Sequence, residues 1–312
     1  MRIFRSLDDV QRDDNCILTT GTFDGVHLGH QSIIKTLHKS VSYQNESVTI
    51  VTFEPHPQFV IKSPNRNDLR LLTTIEEKIS ILQALKIDRL IILPFDSTFA
   101  QLSSQEFIEN ILVNKIGFKK IIIGYDHAFG RDRQGNYEIL ARVSRKYNYS
   151  IIVLSPFSLD GVIISSTKIR KLLLNGDVER AAKYLGRNYR LTGRVVHGEG
   201  RGRTLNVPTA NIEPISNEKL IPKDGIYAVW AYFRDQKFKA VLYIGLKPTF
   251  TYKERTIELH IFNFSDDLYG QTVEIEFKVR IRDEFYFDKV EQLIEQIEND
   301  KEKTLEILTK EY

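Results

Sequence analysis

The chain has 312 residues with 44 Lys+Arg against 41 Asp+Glu, 42% hydrophobic and 27% charged, a balance that argues against both a disordered tail and a membrane protein. No apolar stretch reaches the roughly 20 residues a spanning helix needs, and Met1-Arg2-Ile3-Phe4-Arg5-Ser6-Leu7 lacks a signal-peptide core, so the expectation is a cytoplasmic protein with no membrane partner. One cysteine, Cys16, and seven His leave no internal disulfide and no Cys/His zinc framework, and a net charge of +3 does not by itself imply nucleic acid.

In chain order, the first half alternates β-branched runs with amphipathic segments. Asn15 to Thr20, Ser47 to Phe53, Arg89 to Leu93, Lys120 to Gly124 and Ser150 to Leu154 read as short buried strands. Between them, Gln31 to Lys39 places Ile33, Ile34 and Leu37 on one face, Ile75 to Leu85 does the same with Ile79, Leu82 and Leu85, and Ser104 to Ile116 reads as a third helix. This order favours an α/β domain with a parallel sheet covered on both faces, whose ligands bind beyond the carboxyl ends of the strands.

After Leu185-Gly186-Arg187 the pattern changes to short alternating runs: Tyr189 to Val196, Gly225 to Phe233, Phe238 to Ile244, Thr256 to Phe262 and Val273 to Ile281. These predict an antiparallel sheet or small β-barrel. A closing helix follows, with Asp288 and Glu291 spaced for a capping box and Val290, Leu293, Ile294 and Ile297 as a stripe for core packing. The composition shift puts the boundary at 186, giving domains 1–186 and 187–312.

Directly after the first strand comes Gly21-Thr22-Phe23-Asp24-Gly25-Val26-His27-Leu28-Gly29-His30, leading into a helix. Glycines allow close approach to a phosphate, and a helix N-terminus offers free N–H groups. His27 and His30 can neutralise charge developing at a phosphorus atom. Alternatively, the turn is only a tight corner with surface histidines.

His-x-Gly-His in this setting resembles the signature of adenylyl- and cytidylyltransferases, and Phe23-Asp24-Gly25-Val26-His27 resembles the FAD synthetase branch. Thr52-Phe53-Glu54-Pro55-His56-Pro57, Ile123-Gly124-Tyr125-Asp126-His127-Ala128-Phe129-Gly130 and Ile164-Ser165-Ser166-Thr167-Lys168-Ile169-Arg170 match that family in order and spacing. The resemblance implies a Rossmann-like nucleotidyltransferase domain. In it Gly21, Phe23, Asp24, Gly29, Asp126, Ser165, Ser166, Thr167 and Arg170 bind nucleotide, and Phe53 and Phe129 face the flavin. His127 and Lys168 depart from the residues common in the family. On residue chemistry alone, the Ser-Ser-Thr run is either an N-cap or a phosphate holder, and both phenylalanines are equally at home in a core.

No Gly-x-x-x-x-Gly-Lys-Ser/Thr loop occurs, so a P-loop kinase is unsupported. A second glycine-rich run, Gly193 to Arg203 with glycines at 198, 200 and 202, leads to Pro208-Thr209-Ala210-Asn211. By itself it fits a phosphate cradle, a solvated loop or a nucleic-acid patch equally. The Thr209 hydroxyl and Asn211 carbonyl are hard oxygens suited to Mg²⁺.

Gly-Arg-x-x-x-x-Pro-Thr-Ala-Asn resembles riboflavin kinase, which in bacterial bifunctional enzymes is fused to FAD synthetase. Gly225-Ile226-Tyr227, Pro248-Thr249-Phe250, Ile257-Glu258-Leu259-His260, Asp267-Leu268-Tyr269-Gly270 and Ile281-Arg282-Asp283-Glu284 recur in that family, while Asn206 and Lys247 depart from it. The resemblance implies that Glu258 is the general base. It also implies that Gly198, Gly202, Arg203, Thr209 and Asn211 bind Mg-ATP, with Thr209 and Asn211 as metal ligands, and that Arg282 contacts flavin. Substrates and products would be riboflavin, FMN, FAD, ATP/ADP and pyrophosphate, with no nucleic acid. The competing readings are a nucleotidyltransferase for another phosphorylated acceptor and a flavin- or RNA-binding regulator. The sequence leaves self-association open.

Overall fold

The computed structural model describes residues 1–61, 69–125, 129–131, 135–197, 208–248, 253–264, 266–285, 287 and 289–310. Asp126, Gly198, Gly202 and Arg203, together with His127, Asn206 and Asp288, lie outside them. The chain divides into two compact units, Met1–Ser166 and Thr167–Tyr312.

In the first unit the strands are β1 (Arg2–Phe4), β2 (Ile17–Thr20), β3 (Val48–Glu54), β4 (Arg89–Pro94), β5 (Lys120–Gly124) and β6 (Ser150–Leu154). They form one sheet in the order β1-β4-β3-β2-β5-β6, and every pairing is parallel. From β2 the chain runs outward through β3 and β4, then returns to place β5 and β6 on the other side. The order therefore reverses between β2 and β5, which is where a crevice opens beyond the strand ends. The helices are α1 (Leu28–Lys39), α2 (Pro57–Val60), α3 (Ile75–Ala84), α4 (Ser104–Glu106) and α5 (Tyr137–Tyr147). Two apolar clusters sandwich the sheet, one with Ile34, Leu37 and Leu82 from α1 and α3, the other with Phe107, Ile111 and Leu140. A small hairpin, β7 (Ser158–Leu159) and β8 (Val162–Ile163), follows.

The expected helix from 104 to 116 is more than one structure. After α4, capped by Ser103 and Glu106 in a capping box, the chain widens into a π-helix over Phe107–Ile116. Its buried residues Phe107, Ile111, Leu112 and Ile116 recur every four to five positions, which a wider helix keeps on one face. Gly117 ends it at φ 74°, donating to Leu112 O at 2.9 Å.

The second unit begins in α6 (Ser166–Leu174) and continues with α7 (Val178–Leu185). This division differs from the composition boundary at 186. Lys223 N donates to Leu173 O at 3.0 Å, and the Gly176 backbone approaches the Arg280 side chain so closely that a Cβ would stand 2.4 Å from Arg280 Cδ. The two helices are thus tied to the barrel, whose first strand starts just after the composition shift. That barrel closes in the order β10-β13-β12-β11-β14-β9, from β9 (Arg190–Val196), β10 (Ala210–Pro214), β11 (Gly225–Phe233), β12 (Gln236–Pro248), β13 (Lys253–Ile261) and β14 (Thr272–Arg282). All its pairings are antiparallel.

The closing helix α8 spans Val290–Thr309. Its expected packing stripe is corrected by the structure: Val290 and Ile294 are exposed, and the buried face carries Asp300, Thr304 and Leu308 instead. Leu308 packs with Ala228 and Trp230 of β11, so the helix docks through its second half. Lys289, at the N-cap, makes no side-chain capping bond.

Candidate active sites

The first site occupies the turn between β2 and α1. Its backbone has φ of 50° at Phe23, 82° at Gly25 and 39° at Val26, and two of these residues are not glycine, so the turn must be held in place. Asp24, 2% exposed, does much of this. Its Oδ1 accepts from Leu72 N at 2.9 Å and Thr73 N at 3.1 Å, and Thr73 Oγ1 accepts from Gly25 N at 3.0 Å. Ser166 Oγ donates to the Asp24 carbonyl at 2.9 Å. Gly21 N donates to Val51 O at 3.0 Å, fixing the start of the turn to β3.

His27 is the N-cap of α1, and its Nδ1 accepts from His30 N at 3.3 Å. An accepting Nδ1 leaves the ring proton on Nε2, which is then a donor. The His27 and His30 rings stack at 3.7 Å and 16°, with Phe23 4.9 Å from His30. Gly29 makes this stack feasible, because a Cβ there would lie 3.0 Å from His27 Cε1. No acidic residue stands in the first turn of α1, so the positive end of the helix is not neutralised from within. Two imidazoles and a helix N-terminus at the reversal point of a parallel sheet suit a polyphosphate.

Gly21, Phe23, Asp24, His27, Gly29, His30 and Ser166 are thus brought together. Phe53 sits among Phe95, Phe99 and Phe107 at 5.7, 5.8 and 6.2 Å, and Phe129 lies 5.8 Å from Phe107. Both rings belong to an aromatic wall that also packs the core. Ser165 is half-buried; on α6, Thr167 is exposed and Arg170 half-buried. Sequence reasoning missed Thr73 and Lys78. Lys78 is 4% exposed, and burial pushes its pKa down against the raising influence of Asp24 and then Glu54.

The second site lies on the barrel wall. Glu258 of β13 faces Asn211 of β10 on one side and Tyr243 of β12 on the other. Thr209 Oγ1 donates to Glu258 Oε2 at 3.2 Å. His260, two residues along β13, donates through Nδ1 to Pro208 O at 2.9 Å and so fixes the backbone beside Thr209. Burial lowers the His260 pKa, which the Pro208 bond partly opposes. The Tyr243 hydroxyl donates to Glu284 Oε1, and burial, then this carboxylate, raises the pKa of the phenol. Gly245 leaves room for that ring. Thr256, on the same face of β13 as Glu258, has a buried Oγ1 with no hydrogen-bond partner among the described residues.

Arg282 is engaged with the closing helix. Its Nε and Nη2 grip Asp300 of α8 at 2.9 and 2.6 Å, and Nη1 donates to Asp283 O at 2.9 Å. The register of β13 shows Thr209, Asn211 and Glu258 converging; nothing in the local sequence around Arg282 marks a partner eighteen residues away.

Comparison with known proteins covers both units. The family model described as FAD synthetase matches residues 9–168, and that described as riboflavin kinase matches residues 185–308. A bifunctional riboflavin kinase/FMN adenylyltransferase of Buchnera aphidicola is 40% identical over 96% of this chain and 96% of its own, and one from Haemophilus influenzae is 38% identical over 97% of each. A crystal structure from Streptococcus pneumoniae, described as a macrolide-efflux protein, aligns with a TM-score of 0.87 at 32% identity, covering 97% of this chain and 98% of that one. Among the described residues, no helix is long and apolar enough to cross a membrane.

Proposed function

The chain belongs to the bifunctional riboflavin kinase/FMN adenylyltransferase family, and from that premise we propose which residues carry its two reactions. It phosphorylates riboflavin to FMN with ATP in the barrel unit and adenylylates FMN to FAD with ATP in the parallel-sheet unit.

In the kinase reaction Glu258 takes the proton from the ribityl hydroxyl as that oxygen attacks the γ-phosphorus, and ADP leaves. Thr209 orients the carboxylate by its hydrogen bond, and His260 orients Thr209 through Pro208. Mg²⁺ fits this corner: the Thr209 hydroxyl and the Asn211 carbonyl are hard oxygens beside a carboxylate. When bound, Mg²⁺ supplies charge neutralisation at the ATP phosphates.

In the adenylyl reaction a phosphate oxygen of FMN attacks the α-phosphorus of ATP and pyrophosphate leaves. His27 Nε2–H, His30 and the N-terminal amides of α1 bind and neutralise the phosphates; Asp24 acts by holding the turn. Phe53 and Phe129 supply the flavin wall, and Ser165 and Ser166 hold phosphate. No covalent enzyme intermediate is involved, so positioning carries most of the rate. A cytoplasmic setting suits an enzyme that consumes ATP twice.

The observation that carries this assignment is that each compact unit holds its own constellation, the stacked histidines in one and the Thr209–Glu258 pair in the other. A chromatographic product assay with purified protein, Mg-ATP and either riboflavin or FMN tests it. Riboflavin should pass through FMN to FAD. Absence of product from both flavins would overturn the assignment.

A further inference from the structure

Lys78 is a buried lysine that neither reaction employs. It lies on α3 with 4% of its surface exposed, and Nζ donates to Thr52 Oγ1 at 3.4 Å. Withdrawing an ammonium from water is costly, and an unbranched apolar side chain would fill the same volume without that cost. Packing alone therefore does not account for a lysine at this position.

Two routes lead from this ammonium to the turn that delivers the histidines. Thr52 Oγ1, polarised by Lys78, donates to Thr22 O at 3.2 Å. Asp24 exerts the larger of the two carboxylate fields felt at Lys78, and its Oδ1 grips Leu72 N and Thr73 N while Thr73 receives Gly25 N. Lys78 thus stands beside two sets of hydrogen bonds, one from Thr52 at β3 to Thr22 and one from Asp24 and Gly25 to Leu72 and Thr73 ahead of α3, bonded to the first and within the field of the second. The turn they hold includes Phe23, at φ 50°, and Gly25, at φ 82°, with Val26 directly following at φ 39°.

We propose that Lys78 is a positioning residue of the adenylyl site: its charge keeps Thr52 and Asp24 in the arrangement that fixes the 22–26 turn, and through it His27 and His30, against the triphosphate of ATP. The inference rests on the adenylyl site proposed above. Lys78 acts through its two neighbours and not by touching the reacting atoms.

The test uses the full chain with Lys78→Met, which keeps length and removes charge, and Lys78→Gln, which keeps a donor without the charge. FAD formation from FMN is measured as kcat and KM for each substrate, alongside riboflavin phosphorylation and thermal unfolding; His30→Ala is run in parallel. Displacing a catalytic constellation slightly costs on the order of 10²-fold. Both Lys78 variants should lose that much kcat/KM in FAD formation, with KM for ATP raised and KM for FMN unchanged. Riboflavin phosphorylation and the unfolding midpoint should stay at wild-type values. Unchanged FAD formation in Lys78→Met overturns the proposal. So does a loss in both variants that is matched by a lowered unfolding midpoint, since that is the signature of packing alone. If His30→Ala also forms FAD normally, the adenylyl site itself is misplaced; if His30→Ala stalls and Lys78→Met does not, only the role of Lys78 falls.

Discussion

The Thr209 hydroxyl donates to Glu258 Oε2 across 3.2 Å, joining the residue that precedes β10 to the middle of β13. Adjacent strands of a closed barrel hold this pair in register, with Asn211 directly opposite Glu258. A carboxylate so placed is oriented by the hydroxyl, which is what a general base requires.

Glu258→Gln preserves the shape and an acceptor for Thr209 but cannot take up a proton. Riboflavin phosphorylation should fall about 10²–10⁴-fold, while FAD formation from supplied FMN continues at the wild-type rate. Product chromatography with each flavin reads both at once. Equal loss of the two activities would contradict separate sites.

His30→Ala removes one ring of the stack and leaves the His27 N-cap acceptor facing the same backbone N–H. The variant should convert riboflavin to FMN normally and stall there, with FAD formation reduced about 10²–10³-fold. Undiminished FAD formation would remove His30 from the site.

Much of this was legible in the sequence, and the parts that were not have separate physical causes. Five strands of the first sheet were visible because each is an apolar run between turn signals, and five barrel strands because they read as short alternating runs, whereas β10 at Ala210–Pro214 was not read as a strand. β1 escaped notice because its three residues, exposed Arg2 and Ile3 and half-buried Phe4, are too few to show a period. The π-helix escaped because its apolar spacing resembles an α-helix until register is counted over ten residues. Motifs drew attention to His27, His30, Thr209 and Glu258, since each sits beside the turn or strand that delivers it. Lys78 and Arg282 were opaque for the opposite reason: their partners, Thr52 and Asp24 in one case and Asp300 in the other, come from distant segments. The stripe at Val290 and Ile294 misled because helical periodicity identifies an apolar face but not which half of a helix docks.

The Arg282–Asp300 pair pins α8 to the end of β14, with 13% and 4% of the two side chains exposed. Asp300→Ala strands a guanidinium that has lost most of its access to water, which should cost on the order of 3 kcal/mol of barrel stability. Denaturant unfolding followed by the fluorescence of Trp230, which packs with Leu308 of the same helix, reports it directly. Arg282→Met should cost less than Asp300→Ala if the main role of the arginine is this clamp. A larger loss of riboflavin affinity than of stability in Arg282→Met would show that it contacts the flavin as well.

Cys16 has no measurable exposure, and burial pushes its thiol pKa up from 9.0 to about 12. Its Sγ donates to Gly117 O at 3.1 Å, at the residue that terminates the π-helix. A thiol held protonated does not react as a thiolate, so the native chain should resist alkylation at pH 8 and be alkylated at one site after unfolding. The folded-state pKa lies above the unfolded one, so the stability this thiol contributes is complete below pH 9.0 and is lost as pH rises toward about 12. Cys16→Ala should therefore flatten the alkaline decline in unfolding free energy across that range while lowering stability at neutral pH. Rapid labelling of the native protein at pH 8 would mean that the end of the π-helix opens far more readily than its packing implies.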